Sequence, residues 1–471
     1  MRLKIVLYNP HAVFFTMPLA LLAIGSELDP DEYEVIIVDG RLEEDPQAAL
    51  RAHLDEALCL GVTVLTGAPI SDALAISRFA KQLRPDLPVV WGGWHPSMFA
   101  RECLSEPCVD VTVRGQGEAT FAELVARLAA GRPLAGCLGC TLRLADGSIL
   151  ENPPRPLAPI DQFRTHDYGL IPVERYFALK GKRQLDYISS QGCNFRCAFC
   201  SDPFVYGRRW VGLAPSRMAL RLKELWQRYR FDDVNFQDET FFTRARRVQE
   251  FAQGVIDADL KFTWAATMRA DQGVRLPDEV WALCRRSGLR RLLVGVESGS
   301  DEMLRRIRKD IRIEQVFGTV EQMLRFGIAG HFPFIVGFPE ESEDSIRATL
   351  ACAKRLRALS PDFLTPIYYF KPYPGSELVR EAVDKGFRLP QTLAAWAEFD
   401  YVAGLPGPWV SAEKYRLIER FKFFQELAWK PVSRGRRLLQ QLARYRCRRD
   451  EYRWPVEMLL KRWMAQAEKL S

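Results

Sequence analysis

Gln191-Gly-Cys193-Asn-Phe-Arg-Cys197-Ala-Phe199-Cys200 is the stretch on which the reading of this chain turns. It follows an apolar strand candidate, Leu185–Ser190, and sets three cysteines at C-x3-C-x2-C spacing. Three thiolates on one tight loop can hold three irons of a four-iron cluster and leave the fourth without a protein ligand. An open iron binds a substrate, much as an open position makes a zinc site reactive, whereas a closed cluster only passes electrons. Structural zinc would need a fourth ligand nearby, and no histidine lies between His166 and His331.

Downstream of this loop, strand candidates recur at Asp233–Gln237, Lys261–Ala266, Arg291–Val296, His331–Val336 and Phe363–Phe370, with helical segments between them. Six β-α units in succession predict a partial (β/α)6 TIM-type barrel over residues 181–400, with its chemistry at the strand ends. Upstream, strands at Leu3–Tyr8, Glu34–Val38, Leu60–Leu65, Pro88–Trp91 and Val109–Val113 alternate with helices at Pro18–Leu28, Pro46–Leu58, Ser71–Leu83 and Glu118–Ala130. That rhythm predicts an α/β, Rossmann-like domain over residues 1–135, whose ligand lies at the carboxyl ends of its strands. Residues 136–180 read as a linker, with a hairpin over Gly136–Leu150 turning at Asp146-Gly147. Residues 401–471 read as a helical, basic C-terminal region.

The length of 471 residues suits two or three domains, and 48% hydrophobic with 27% charged residues is a globular balance that excludes disordered and fibrous classes. The apolar stretch Met17–Gly25 spans nine residues, too few to cross a bilayer, and it follows no secretory leader, so a cytoplasmic protein is expected. The formal charge is +7, yet Lys430–Ser471 carries twelve Lys and Arg against four Asp and Glu, which leaves the rest of the chain near −1. With no nucleic-acid module beside it, this tail reads as an amphipathic helix with a solvated face, and no nucleic-acid partner is expected. Eleven cysteines are too few for a disulfide scaffold. Cys137-Leu-Gly-Cys140 has C-x2-C spacing but no companion ligand and reads as chance placement. Arg208-Arg209-Trp210 reads either as a cover for the cluster side of the site or as a surface loop with one buried Trp.

At the cysteine triad the sequence resembles the radical S-adenosylmethionine (SAM) superfamily, in which an aromatic residue precedes the last cysteine. Motifs at later strand ends extend the likeness: Asn235-Phe-Gln-Asp-Glu239, Gly295-Val-Glu297-Ser-Gly299, Phe334-Ile-Val-Gly337-Phe-Pro339-Glu-Glu341 and Tyr373-Pro-Gly375. The resemblance implies that Cys193, Cys197 and Cys200 ligate a [4Fe-4S] cluster whose open iron chelates SAM. It also implies that Asp238 and Glu239 meet the SAM amino group, that Glu297 and Ser298 meet its ribose and methionine, and that Gly337 belongs to the same site. Phe199 would pack near the adenine. A reduced cluster would then cleave SAM to a 5'-deoxyadenosyl radical, with the electron coming from an external donor such as a flavodoxin or ferredoxin.

The upstream domain resembles the cobalamin-binding domain of B12-dependent radical SAM enzymes, in a layout like that of the anaerobic magnesium-protoporphyrin ester cyclases and P-methylases. Thr63-Val-Leu65 and Gly92-Gly93 carry that likeness, and Arg114-Gly-Gln-Gly-Glu118 is similar to the group's Gly-Glu-Gly-Glu turn with Gln116 in place of a Glu. Thr63, Leu65, Gly92, Gly93 and Glu118 are thereby implied as cobalamin contacts, the small residues letting backbone approach the nucleotide tail. A nicotinamide dinucleotide is disfavoured, because no G-x-G-x-x-G follows the first strand. His11 sits where some B12 proteins carry a cobalt-ligating histidine, but Asn9 and Phe14 replace the Asp and Gly of that motif. It reads as a plain loop histidine.

The leading function is methylation of an unactivated carbon in a small-molecule substrate. The alternative is a B12-linked oxidative cyclase or rearrangement enzyme without methyl transfer. A non-catalytic electron carrier is the third reading, disfavoured by the missing fourth cysteine and by the motifs implied to face SAM.

Overall fold

The computed structural model describes residues 2–12, 14–399, 404–429 and 437–452. The N-terminal region builds a seven-stranded sheet from β1 (Leu3–Asn9), β2 (Tyr33–Asp39), β3 (Ala57–Thr63), β4 (Val89–Gly92), β5 (Val111–Val113), β6 (Cys140–Arg143) and β7 (Ile149–Glu151). Their spatial order is β2-β1-β3-β4-β5-β6-β7. The first five strands are parallel, and β6 and β7 are antiparallel additions. A strand's side chains alternate between its two faces, so a parallel strand covered on both sides must be apolar throughout. β1 shows this directly. Ile5 and Leu7 join one core with Leu21, Phe121 and Leu124, while Val6 and Tyr8 join the opposite core with Leu50, Ile70 and Leu74.

Two differences from the sequence expectation reshape this sheet. The helix from Pro46 ends at Leu54, not Leu58, because Ala57 and Cys59 pair with Lys4 and Ile5 across a bulge. Long-range pairing outweighs the local helical pattern there. The hairpin expected within a linker instead pairs with β5, Val111 opposite Leu142, and extends the sheet. Behind it, the Cys137 and Cys140 sulfurs lie 3.5 Å apart, and both residues are buried.

The second sheet contains β8 (Gln184–Tyr187), β11 (Asp233–Phe236), β12 (Thr263–Arg269), β13 (Leu289–Gly295), β14 (Ala329–His331) and β16 (Phe363–Leu364). All six are parallel, in the order β16-β14-β13-β12-β11-β8, which is an open partial barrel. Its fifth and sixth strands resume as β15 (Phe334–Val336) and β17 (Ile367–Tyr369), paired with each other. Pro333 and Pro366 lie in the breaks. Proline carries no N–H to give to a ladder, which accounts for the splitting of two runs expected to be continuous. The run expected as Leu185–Ser190 is also two elements. β8 stops at Tyr187, and Ser190–Gly192 (β9) pairs antiparallel with Trp210–Gly212 (β10).

The barrel core is aromatic. Phe236, Phe241, Phe251 and Trp264 meet at ring separations of 4.6–5.9 Å. The chain then returns to the N-terminal region, where Leu393, Trp396 and Phe399 enter the core beside the helix Pro69–Leu83. Helices Ala412–Trp429 and Arg437–Arg449 bury Ile418, Phe421, Phe424 and Cys447 in the barrel's core. The rest of the basic tail, residues 430–436 and 453–471, lies outside the described residues. No helix among the described residues is long and apolar enough to cross a membrane.

Candidate functional site

The cysteine loop is held at four places. At its base, the β9–β10 ribbon brings Gly192 opposite Trp210. Gly192 has φ of 79°, and a Cβ there would lie 2.3 Å from the Arg209 carbonyl, so only glycine lets the two limbs close. In the middle, Ala198 N donates to Ile307 O at 2.9 Å and Ala198 O accepts from Leu378 N at 3.1 Å. On the outside, Arg196 pairs with Asp310 at 2.8 Å. On the inside, the Arg269 guanidinium lies 3.7 Å over the Phe195 ring. Arg208-Arg209-Trp210 belongs to this closure, with both arginines exposed and Trp210 stacked under Arg244 and Arg247.

Cys193, Cys197 and Cys200 are partly exposed, whereas all eight other cysteines are buried. Burial pushes the Cys193 thiol up to about 11 and also raises the Cys200 thiol well above its ordinary range, so metal must displace protons to bind there. Among the described residues, no three His, Cys, Asp or Glu side chains close on a single point. A four-iron cluster carries its irons at separate corners, and three accessible cysteines on one loop fit it by the chemistry of their donors.

The strand-end residues divide into two groups. Glu239 lines the large cavity, and its Oε2 is buried without a partner. Burial first, and then the Asp202 charge, raises its carboxyl to about 8. Phe199 packs edge-on against Phe338 at 6.3 Å, beneath the Lys309 ammonium. The other side chains are engaged within the protein. Asp238 accepts from Ser189 N, Ser189 Oγ and Ser190 Oγ, bracing the approach to the cysteine loop. Ser298 Oγ lies 3.0 Å from Thr349 Oγ1 and is fully buried. Glu297 pairs with Lys309 at 2.8 Å, both buried. Gly337 N donates to Glu341, and its carbonyl accepts from Trp409 Nε1. Asp238, Ser298, Glu297 and Gly337 lie off the cavity lining, as do Phe199 and the three cysteines.

A cavity of about 370 Å³ separates the carboxyl ends of the first sheet from the barrel mouth. Thr63, Leu65, Gly92, Gly93 and Glu118 line one side, and Gln191, Tyr206, Gln237 and Glu239 the other. The two regions are bonded across it. Gln116 Nε2 donates to Gln191 Oε1 at 2.8 Å, and Gln191 Nε2 donates to Glu118 Oε1 at 2.6 Å. Gln116 thus does what a Glu at that position could not, since it donates and also accepts from Ala158 N. Gly92 is open, for a Cβ there would meet only Val113 at 3.8 Å. Gly93 differs. With φ of 103°, its Cβ would press on Val64 O at 3.0 Å, so the close approach of β3 by itself requires glycine there. His11 is exposed, lies off the cavity wall, and donates its backbone N–H to Asp72.

Residues 187–353 match the radical SAM superfamily, and residues 6–125 match the B12 binding domain. An uncharacterised methyltransferase of Pyrococcus horikoshii is 31% identical, over 82% of this chain and 83% of its own length. The chain belongs to the B12-binding radical SAM family. An anaerobic magnesium-protoporphyrin IX monomethyl ester cyclase of Synechocystis is 28% identical, over 74% of this chain and 70% of the cyclase. The solved structure of the radical SAM methyltransferase TsrM from Kitasatospora setae shares the fold, with a TM-score of 0.75 at 17% identity over 92% and 91% of the two chains. As a B12-binding radical SAM enzyme the chain uses SAM, a [4Fe-4S] cluster and cobalamin. The accessible thiol trio fits the cluster, the unpaired Glu239 oxygen fits an ammonium such as that of SAM, and the open face over Gly92 fits cobalamin.

Arg269, Lys309 and Gln191 were not expected from the sequence. Arg269 ends β12, and a strand end in such a barrel was the one signal available for it.

Proposed function

We propose that this enzyme transfers a methyl group to a carbon of a small-molecule substrate held between its two regions. The observation that carries the reading is the single cavity walled by the cobalamin-side residues Thr63, Gly92 and Glu118 and by the SAM-side residue Glu239. When bound, the reduced cluster with SAM supplies radical chemistry and cobalamin carries the methyl group. Cys193, Cys197 and Cys200 hold the cluster, Glu239 takes the SAM ammonium, and Gln191 ties the cysteine loop to the cobalamin side. The apolar wall of Met17, Ile24, Val62 and Phe121 excludes water from a reactive intermediate. Two reagents held on opposite walls of one pocket are oriented toward a common substrate, which neither cofactor achieves alone.

The test is the product pair. A protein reduced by an external donor such as flavodoxin, given SAM and its true substrate, should release 5'-deoxyadenosine and S-adenosylhomocysteine in comparable amounts. Deoxyadenosine without S-adenosylhomocysteine would replace this reading with cyclase-type chemistry, the activity named for the Synechocystis relative. Neither product under strong reduction would leave electron transfer alone.

A further inference from the structure

We propose that Arg269 is a positioning residue that donates a hydrogen bond to the Cys197 sulfur and raises the reduction potential of the cluster. The proposal rests on the reading that Cys193, Cys197 and Cys200 hold that cluster. Arg269 is buried at the end of β12, and its Nη1 lies 3.7 Å from Cys197 Sγ. The rest of its fork is committed. Nε donates to Asp271 at 2.9 Å, Nη2 donates to the Lys309 carbonyl, and the planar face covers Phe195 at 3.7 Å. Phe195 and Cys197 belong to one loop, so the guanidinium grips that loop at two points two residues apart. Only a planar fork can make these contacts at once, and an ammonium cannot.

The charges around it leave Arg269 cationic toward the sulfur. Asp271 is divided between Arg269 and Arg275. The nearby Lys309 ammonium is neutralised by Glu297 at 2.8 Å. Asp310 is taken by Arg196 on the outside of the loop. Segment 307–310 is itself held in an unusual shape to make this packing, with φ of 51° at Arg308 and 54° at Asp310. Reduction adds one electron from the external donor to the cluster and breaks no bond. A cation and an N–H at a ligating sulfur stabilise the added charge more than the oxidised state, which raises the potential. In a buried setting that attraction is only weakly screened.

The experiment uses the full chain with its cluster assembled anaerobically, without SAM. Arg269→Gln keeps a donor and loses the charge, and Arg269→Lys keeps a charge and loses the fork. Iron and sulfide per chain are measured first, and the midpoint is then read by redox titration followed by paramagnetic resonance. Both variants should retain wild-type iron and titrate at lower potential, with Arg269→Gln the lower of the two. Unmoved midpoints would overturn the proposal, whether iron is retained or partly lost, because a residue that only shapes the loop changes occupancy and not potential. Should Arg269→Gln fail to fold, the midpoint of Arg269→Lys decides alone. No cluster in the wild type, or a cluster surviving Cys197→Ala, would instead overturn the triad reading beneath it.

Discussion

The two walls of the cavity are made in opposite ways. On the N-terminal side, parallel strand ends present backbone, threonine and glycine, with Glu118 and the Asp39-paired Arg41 as the charged side chains among them. On the barrel side, ionisable groups are packed tightly behind the surface. Glu239, Glu297, Lys309, Arg269 and Asp271 all lie around one loop. Strain gathers there as well, with left-handed φ at Glu297, Arg308 and Asp310, each costing roughly 1–3 kcal/mol. A large preformed cofactor can be held by shape, which requires open space and little charge. A cluster, which is assembled in place and changes its charge, needs ligands and compensating charges in fixed positions. The contrast teaches that substitutions on the first wall should act through volume, and those on the second through charge and ligation.

Cys197→Ala should break the barrel side most completely. Iron analysis of anaerobically assembled protein should fall from one four-iron cluster per chain to almost none, while cobalamin is still retained. Loss of both cofactors together would show that the walls are not separate.

The glycine pair sharpens the other side. Gly92→Trp should lower cobalamin retention more than tenfold with melting temperature little changed, because its side chain has only Val113 near it. Gly93→Ala should do the reverse, lowering stability by about 1–3 kcal/mol through its positive φ and the contact with Val64. Thermal denaturation and cobalamin absorbance of the two variants separate volume in the cavity from strain in the wall.

The pH dependence of the cofactor-free protein tests the charge asymmetry. Glu239 is raised by burial from its ordinary value of 4.5 to about 8, so the folded state keeps a proton that the unfolded chain has lost. Stability is then fully present below about 4.5 and declines as pH rises toward 8. Glu239→Gln should flatten that decline in urea titrations between those limits. An unchanged slope would place the titration elsewhere. The smallest effect is expected at His11. His11→Ala should retain cobalamin, and bound cob(II)alamin should show no nitrogen splitting by paramagnetic resonance in either protein.

Much of the architecture was legible because it is written locally. The C-x3-C-x2-C spacing can be read without knowing where its neighbours lie, and the alternating strand and helix rhythm exposes both sheets. Asp238 and Ser298 show where legibility stops. Their types and places mark both as polar strand-end residues, but do not show that Asp238 braces Ser189 and Ser190 or that Ser298 meets Thr349 fifty-one positions later. A carboxylate or hydroxyl bonds whichever donor the fold brings near, and residue type does not name that donor. The same holds for Gly93, whose need for glycine comes from Val64 across the sheet.

By itself, the sequence determined the spacing of Cys193, Cys197 and Cys200, the order of the strands along the chain and the lack of a histidine between His166 and His331. These depend on covalent spacing and on the period of apolar residues, which the chain carries folded or not. Only the tertiary structure decided that Arg269 reaches Cys197 across seventy-two positions, that Gln116 and Glu118 clasp Gln191, and that the two sets of strand ends face one cavity. Such contacts join groups far apart in the chain. They exist only once burial of the cores brings both sheets together and makes each buried polar group find its partner.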